Sequence, residues 1–198
     1  MNADFKIDGK VLETDRLILR TFEEDDLDDF YEYASVPGVG EMAGWKHHEN
    51  KEESKKILDT FIKGDKTFAI YHKNDKKIIG SIGIEKYGPE EEPVGFKNYI
   101  GRELGFVLSK DYWRSGLMSE AVYKIINYLF NTLNYDFLLA GYFANNEASR
   151  KLQEKCGFKA YKKTVFNTNM NTKEAGTLNL LLNPKKEIKI ISKFLFMR

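Results

Sequence analysis

The sequence predicts an α+β protein built on one mixed sheet, and three observations carry that prediction. Several short segments alternate apolar and polar residues, as half-buried strands do. Four longer segments place their apolar residues three and four apart, as one face of a helix requires. The two kinds are interleaved in the order β-α-α-β-β-β-α-β-α-β-β, with no repeat, low-complexity tract or linker between them. One domain over residues 1–198 is therefore expected, and this length is enough to bury a substantial core.

Taken in order, Leu12 to Thr21 reads as the first strand, centred on Leu17-Ile-Leu-Arg20. Glu23 to Ala34 opens with carboxylates that suit a helix N-terminus and carries Leu27, Phe30, Tyr31 and Ala34 on one face. Pro37-Gly38-Val39-Gly40 ends it. Glu52 to Ile62 forms a second helix, with Ile57, Leu58, Phe61 and Ile62 expected on its buried side. Phe68 to Tyr71 and Lys77 to Glu85 form a hairpin about Asn74-Asp75. Tyr87 to Asn98, rich in Gly, Pro and Glu, is a loop, and Tyr99 to Ser109 is the next strand.

Ser115 to Thr132 is the longest helix, its core stripe running through Ala121, Val122, Ile125, Ile126, Leu129 and Phe130. Phe137 to Phe143 is an apolar run typical of buried sheet. Glu147 to Lys155 is a helix capped by Asn145 or Asn146 and stopped at Gly157. Ala160 to Phe166 and Gly176 to Leu182 are the last strands, and Pro184 ends the pattern. The apolar tail within 185–198 reads as a packed extra element, an oligomer contact or a loose end.

Bulk composition narrows the function classes. A net charge of +1 gives no electrostatic case for nucleic acid or an anionic membrane. A single cysteine, Cys156, excludes an intrachain disulfide and reads as a small buried hydrophobe. No signal peptide is apparent, and no apolar run is long enough to span a bilayer, so a cytoplasmic protein is expected, monomeric or homodimeric. His47 and His48 are adjacent and lack a third ligand cluster, which argues against a metal site.

Two segments carry chemistry. In Tyr112-Trp-Arg-Ser-Gly-Leu-Met-Ser-Glu-Ala121, a glycine stands at a helix start. The first N–H groups of a helix lack internal partners and, with the helix dipole, make an anion site. Gly116 lets a ligand approach the backbone closely. The second segment, Asn145-Asn-Glu-Ala-Ser-Arg-Lys-Leu-Gln-Glu-Lys-Cys-Gly-Phe158, is a capped helix ending at a glycine.

Together, in this order, these segments resemble the acyl-CoA site of GNAT-type N-acetyltransferases, and most closely the RimJ/RimL-like branch. The resemblance covers Glu13 to Leu182. It implies a sheet that splays between its fourth and fifth strands, flanked by four helices, and acetyl-CoA as co-substrate. It also implies direct acetyl transfer to a primary amine in a ternary complex. The acceptor would be a protein N-terminal α-amine of ribosomal-protein type, or a small amine. A second function class, a non-catalytic acyl-CoA sensor or interaction module, would share the binding site without turnover.

Carried over residue by residue, the family's Gln/Arg-x-x-Gly-x-Gly/Ala loop falls on Trp113 to Met118. The pyrophosphate would then lie against Arg114, Ser115, Gly116, Leu117, Met118 and Ser119, with Met118 crowding the loop in place of a small residue. The resemblance implies a bulged strand near Phe106, Val107 and Leu108 that pairs its backbone with the pantetheine arm. It assigns Asn146 to hold that arm and Ser149 to protonate the leaving thiolate. The tyrosine that many members carry on this helix is replaced here by Gln153.

For the general base, Glu103 on the candidate active strand is the first choice, with Glu85 and Glu41 as alternatives. Glu103 could equally face solvent or pair with Arg102 or a lysine. Trp45, His47 and His48 are expected to form the substrate rim, where members of this branch often carry aromatic and histidine residues.

Overall fold

A computed structural model describes residues 1–186, so the tail beyond Lys186 lies outside the described residues. Eight strands form one mixed sheet in the order β1-β2-β3-β4-β5-β6-β8-β7. They are β1 (Leu12–Glu13), β2 (Leu17–Thr21), β3 (Thr67–His72), β4 (Lys77–Glu85), β5 (Gly101–Leu108), β6 (Phe137–Phe143), β7 (Lys159–Asn167) and β8 (Lys173–Leu182). Four α-helices flank the sheet: α1 (Leu27–Ala34), α2 (Lys51–Gly64), α3 (Leu117–Asn127) and α4 (Glu147–Lys155). Among the described residues no helix is long and apolar enough to cross a membrane.

The expected first strand is two strands. Leu17 N–H donates to the Thr14 hydroxyl at 2.9 Å, and Thr14 N–H donates to the Leu17 carbonyl at 2.9 Å. This side-chain turn folds β1 back on β2, pairing Leu12 with Leu19. The expected long third helix is also interrupted. Regular α3 gives way to a π-helical turn over Tyr128–Thr132, which still buries Leu129 and Phe130.

Both faces of the sheet are covered. On one face α3 buries Leu117, Met118, Ala121, Val122 and Ile125 against Leu19, Ile70, Ile82, Ile84, Leu104 and Leu138. Each such fully buried aliphatic side chain contributes roughly 1.5–3 kcal/mol. On the other face α1 and α2 bring Phe30, Tyr33, Ala34 and Leu58 against Phe22, Ala69 and Ile78. Ile57, expected in this core, is exposed instead. A third cluster of Tyr87, Phe96, Phe137, Leu139 and Leu178 seats the 87–98 loop. Cys156 is buried, as a small hydrophobe would be, and burial pushes its thiol up to about 11.

The feature that positions the site is a divergence in mid-sheet. β5 and β6 are parallel and paired only from Gly101↔Phe137 to Glu103↔Leu139. Beyond that point β6 stays with β8, down to Phe143↔Gly176, while β5 stays with β4, out to Leu108↔Gly80. The two halves of the sheet therefore separate between the strands, fourth and fifth in the expected order, where the family resemblance implied the splay. The expected bulge in β5 is absent: its register with β4 is unbroken from Glu103↔Glu85 to Leu108↔Gly80. The irregularity of this half-sheet lies in the β3–β4 pairing, where Ile70 pairs with Gly80 and Tyr71 with Ile78, leaving Ile79 of β4 as the extra residue.

Candidate active site

The divergence opens a cleft of about 1180 Å³, walled by β5, β6, the start of α3 and the face of α4. Strand alternation decides which backbone groups of β5 face it. Ser109 N–H donates to the Ile79 carbonyl at 2.8 Å, on the β4 side, while the Ile100 carbonyl accepts from Asp136 N–H at 2.8 Å, on the β6 side. Even-numbered residues therefore turn their backbone groups toward β6 and, past Glu103, toward the gap. Phe106 and the N–H of Leu108 present an open strand edge there, suited to an extended amide chain, while the Leu108 carbonyl is already taken. Val107, expected to share this task, points its backbone at β4 and packs its side chain on the α1–α2 core. The Trp113 indole N–H donates to the Leu108 carbonyl at 2.8 Å, so the first residue of the candidate phosphate loop is latched to this strand.

The loop then turns sharply. Arg114 has φ +62° and Gly116 φ +81°, both left-handed, and Gly116 occupies the N-cap of α3 without a side-chain cap. A side chain at Gly116 would be strained, and glycine leaves the first N–H groups of α3 accessible. Arg114, Gly116, Met118 and Ser119 line the cleft. The Met118 side chain is buried in the α3 core while also lining the cleft. Leu117 is likewise turned into the core, and the Ser115 hydroxyl donates to the Tyr112 carbonyl at 2.5 Å; neither residue lines the cleft. The first turn is anchored from behind. Glu120 accepts from the Thr14 hydroxyl at 2.5 Å and from Arg16 Nε at 2.7 Å, and Arg16 Nη1 donates to the Ser115 carbonyl at 3.1 Å.

Across the cleft, Asn146 caps α4 by accepting from Ser149 N–H at 3.0 Å. Its amide nitrogen donates to the Met42 carbonyl at 3.1 Å, tying α4 to the α1–α2 loop. Both ends of the side chain expected to hold a pantetheine arm are thus engaged in structure. Ser149, one turn on, accepts from Gln153 Nε2 at 3.1 Å. Gln153 is fully buried, also donates to the Gly141 carbonyl at 2.9 Å, and accepts from Asn179 Nδ2 at 2.9 Å.

Glu103 stands at the apex of the divergence, partly buried and lining the cleft. Burial raises its carboxyl to about 7, with the Glu91 and Glu85 carboxylates adding to the effect. A Cβ built on Gly141 of β6 would lie 3.5 Å from Glu103 Oε1. The two alternatives are occupied elsewhere. Glu85 pairs with Lys66, and neither of them lines the cleft. Glu41 accepts from Gly38 N–H at 2.6 Å and bonds His47 Nδ1 at 2.7 Å. Against the opposing effect of burial, these contacts hold its carboxyl down to about 2, too weak a base for the task.

The expected rim is not assembled from Trp45, His47 and His48. His48 is buried beside Phe30, its Nδ1 2.6 Å from the Ser54 hydroxyl, and burial lowers its basicity. Trp45 lies over Gly40 and stacks near His48, and His47 turns to Glu41. Packing of α1 on α2 draws these rings inward. The same loop instead offers Gly38, Met42, Ala43 and Gly44 to the cleft. It is fastened at three points: to Lys110 through the Pro37 carbonyl, to Asn146 through Met42, and to Asn169 N–H through the Gly44 carbonyl at 2.8 Å. Phe143 and Phe166 complete the wall and were not singled out in the sequence. The signal was present in Gly141 and Gly176, glycines inside strands, which mark a close approach of another group.

A family model described as "Acetyltransferase (GNAT) domain" matches residues 16–159, which span the candidate phosphate loop, Glu103 and all of α4. The chain belongs to the GNAT acetyltransferase family. This acetyltransferase is 29% identical over 153 residues to the uncharacterized N-acetyltransferase YoaA of Bacillus subtilis, covering 75% of this chain and 82% of that one. Its fold is similar to that of a GNAT-family acetyltransferase from Bacillus anthracis, with TM-score 0.75, 21% identity, and coverage of 87% of this chain and 98% of that one. A putative ribosomal-protein-serine acetyltransferase from Vibrio cholerae is similar at TM-score 0.71 and 19% identity, over 92% of this chain and 99% of that one.

The family uses acetyl-CoA, and the residues of this acetyltransferase fit it. Gly116 offers bare backbone at a helix N-terminus, β5 offers an open edge, and a Cβ on Gly105 would meet no atom within 4 Å.

Proposed function

We propose that this acetyltransferase acetylates a primary amine by direct attack within a ternary complex, with Glu103 as general base and Ser149 as general acid. The observation that carries the reading is the placement of these two groups about Gly141. Glu103 Oε1 lies 3.5 Å from a Cβ position on Gly141, and the Gly141 carbonyl is bridged to Ser149 by Gln153. This shared neighbour, at the point where β5 and β6 part, supports pairing the two groups as base and acid.

Acetyl-CoA supplies the acetyl group and, on transfer, a thiolate. The start of α3, with Arg114, holds the pyrophosphate, and the edge at Phe106 and Leu108 pairs with the pantetheine arm. The acceptor arrives as an ammonium ion. Glu103, with a carboxyl near 7, is poised to take its proton at neutral pH. As the N–C bond forms and the C–S bond breaks, the Ser149 hydroxyl gives its proton to the departing sulfur. The second proton lost by the nitrogen restores Ser149, and the proton on Glu103 passes to solvent.

The acceptor is a protein N-terminal α-amine or a small amine. Similarity of fold to a putative ribosomal-protein-serine acetyltransferase supports the first class, and the RimJ/RimL-like motifs of the two segments point the same way. The test is a calorimetric titration with acetyl-CoA and with CoA, followed by thiol release against a panel of peptides and amines. Micromolar binding and amine-dependent thiol release are expected. Binding without transfer to any amine would replace the proposal with an acyl-CoA sensor.

A further inference from the structure

Phe166 belongs to β7, the outermost strand, yet its ring reaches the cleft. It does so because two glycines clear its path. A Cβ on Gly176 of β8 would lie 2.7 Å from Phe166 Cε2, and a Cβ on Gly141 of β6 would lie 2.7 Å from Phe166 Cζ. The ring therefore lies flat across β8 and ends over the bare backbone of Gly141. Glu103 Oε1 stands 3.5 Å from that same Cβ position, so ring tip and carboxylate flank one spot. The Phe143 ring packs 5.8 Å from that of Phe166, and its Cζ lies 3.5 Å from a Cβ position on Gly44, in the loop that roofs the cleft. Gly105 leaves the floor open.

Charge in the cleft is segregated. The lining cations lie on the phosphate-loop segment (Lys110 and Arg114) and on α4 (Lys151 and Lys155). Glu103 precedes Lys110 by most of the length of β5, about 20 Å of extended chain. The corner of Glu103, Phe143 and Phe166 thus presents one lining carboxylate and two aromatic rings, with the lining cations on other elements and Lys151 paired with Glu147. An ammonium group gains there from the carboxylate, and the two rings offer its stem an apolar wall. A carboxylate beside the amine would be repelled by Glu103 and would find no partner.

We propose that Glu103, Phe143 and Phe166 form the acceptor pocket, selective for a primary amine on an apolar stem with no carboxylate next to the amine. The assignment rests on the transferase reading of the cleft and adds the substrate class to it. Free α-amino acids are disfavoured acceptors. Glu103 sets the discrimination against a carboxylate, and Phe166 sets the preference for an apolar stem.

The test is calorimetric titration of CoA-saturated protein with 2-phenylethylamine and with L-phenylalanine, which differ only by the carboxylate. The amine is expected to bind at least about tenfold more tightly, and Phe166→Ala to weaken it about tenfold while leaving the KM for acetyl-CoA unchanged. Phe166→Leu, which keeps an apolar wall, is expected to fall between the two and serves if the alanine variant fails to fold. Equal or tighter binding of L-phenylalanine, or wild-type amine affinity in both Phe166 variants, would overturn the proposal. Because binding is read directly, selective amine binding without acetyl transfer would sink the transferase reading while upholding this pocket.

Discussion

The side-chain amide of Gln153 donates to the Ser149 hydroxyl oxygen at 3.1 Å, and its direction is determined by its neighbours. The Gly141 carbonyl can only accept, so the group 2.9 Å from it must be Nε2. Oε1 is then left to accept from Asn179 Nδ2. Ser149 therefore receives a hydrogen bond from Gln153 and keeps its own proton for another acceptor. Gln153, at the place where relatives often carry a tyrosine, positions the serine hydroxyl as a donor.

Reversing that polarity should slow transfer. Gln153→Glu presents an acceptor to Ser149 and draws its proton away from the cleft. We expect kcat to fall about a hundredfold, the lower end of the range of general acid catalysis, with little change in KM for acetyl-CoA. Ser149→Ala should show a loss of similar size, and the double variant no further loss. Additive losses would mean that Gln153 acts only by supporting α4. An effect of Ser149→Ala confined to CoA affinity would leave the serine a positioning role only.

The carboxyl of Glu103, raised to about 7 chiefly by burial, predicts an acid limb in the pH profile of kcat/KM near that value. Glu103→Gln should lower turnover and remove the limb. Wild-type kinetics in this variant would clear Glu103 of the base role.

The same shift has a consequence for stability. Between the ordinary carboxylate range and about pH 7 the folded state holds a proton that the unfolded chain has lost. Stability contributed by this group is thus present at low pH and is lost as pH rises toward 7. The full shift corresponds to roughly 3 kcal/mol before screening by solvent reduces it. Glu103→Gln should therefore melt higher than wild type at pH 8, and the advantage should vanish near pH 4.5. A pH-independent difference in Tm would contradict the burial argument.

At Gly116, any side chain meets a left-handed φ of +81°. Gly116→Ala is expected to cost about 1 kcal/mol of stability through backbone strain alone. Gly116→Glu adds charge and bulk at the helix N-terminus and should abolish CoA binding. Calorimetry with CoA distinguishes the two effects, and unchanged affinity in the glutamate variant would remove the phosphate site from the start of α3.

Asn146→Ala removes the cap of α4 and its link to Met42 together. Loss of an N-cap costs about 1 kcal/mol, equivalent to a fall of about 2–4 °C in Tm for a chain of this size. A larger fall in acetyl-CoA affinity than in Tm would show that the side chain also holds the cofactor.

The architecture was legible because periodicity reports which faces are buried, and here both faces of the sheet are. Apolar β4, the stripe of α3 and the glycine after α4 each announced their places. What escaped was decided by contacts distant in sequence. The break between β1 and β2 is closed by two bonds between Thr14 and Leu17, one of them to the Thr14 hydroxyl. Trp45 and His48 follow a glycine-rich loop and read as rim residues, but the packing of α1 on α2 buries His48 and draws Trp45 onto Gly40. Val107 and Phe106 differ only in the parity of their positions, which register with β4 alone reveals. Phe166 sits in a strand with an exposed pattern, and its reach across β8 requires knowing what lies beneath it.

That reach also constrains the order in which the protein can change. While Phe166 keeps its ring, neither Gly141 nor Gly176 can gain even a methyl group without displacing it. Once the ring shortens, Gly141 becomes free to vary, whereas Gly176 stays held by the Tyr142 carbonyl against its Cβ position. A side chain at 141 would then bar a large aromatic from returning. A descendant that altered its choice of amine through Phe166 would thus tend to be locked into the new preference by a later, individually harmless substitution at Gly141.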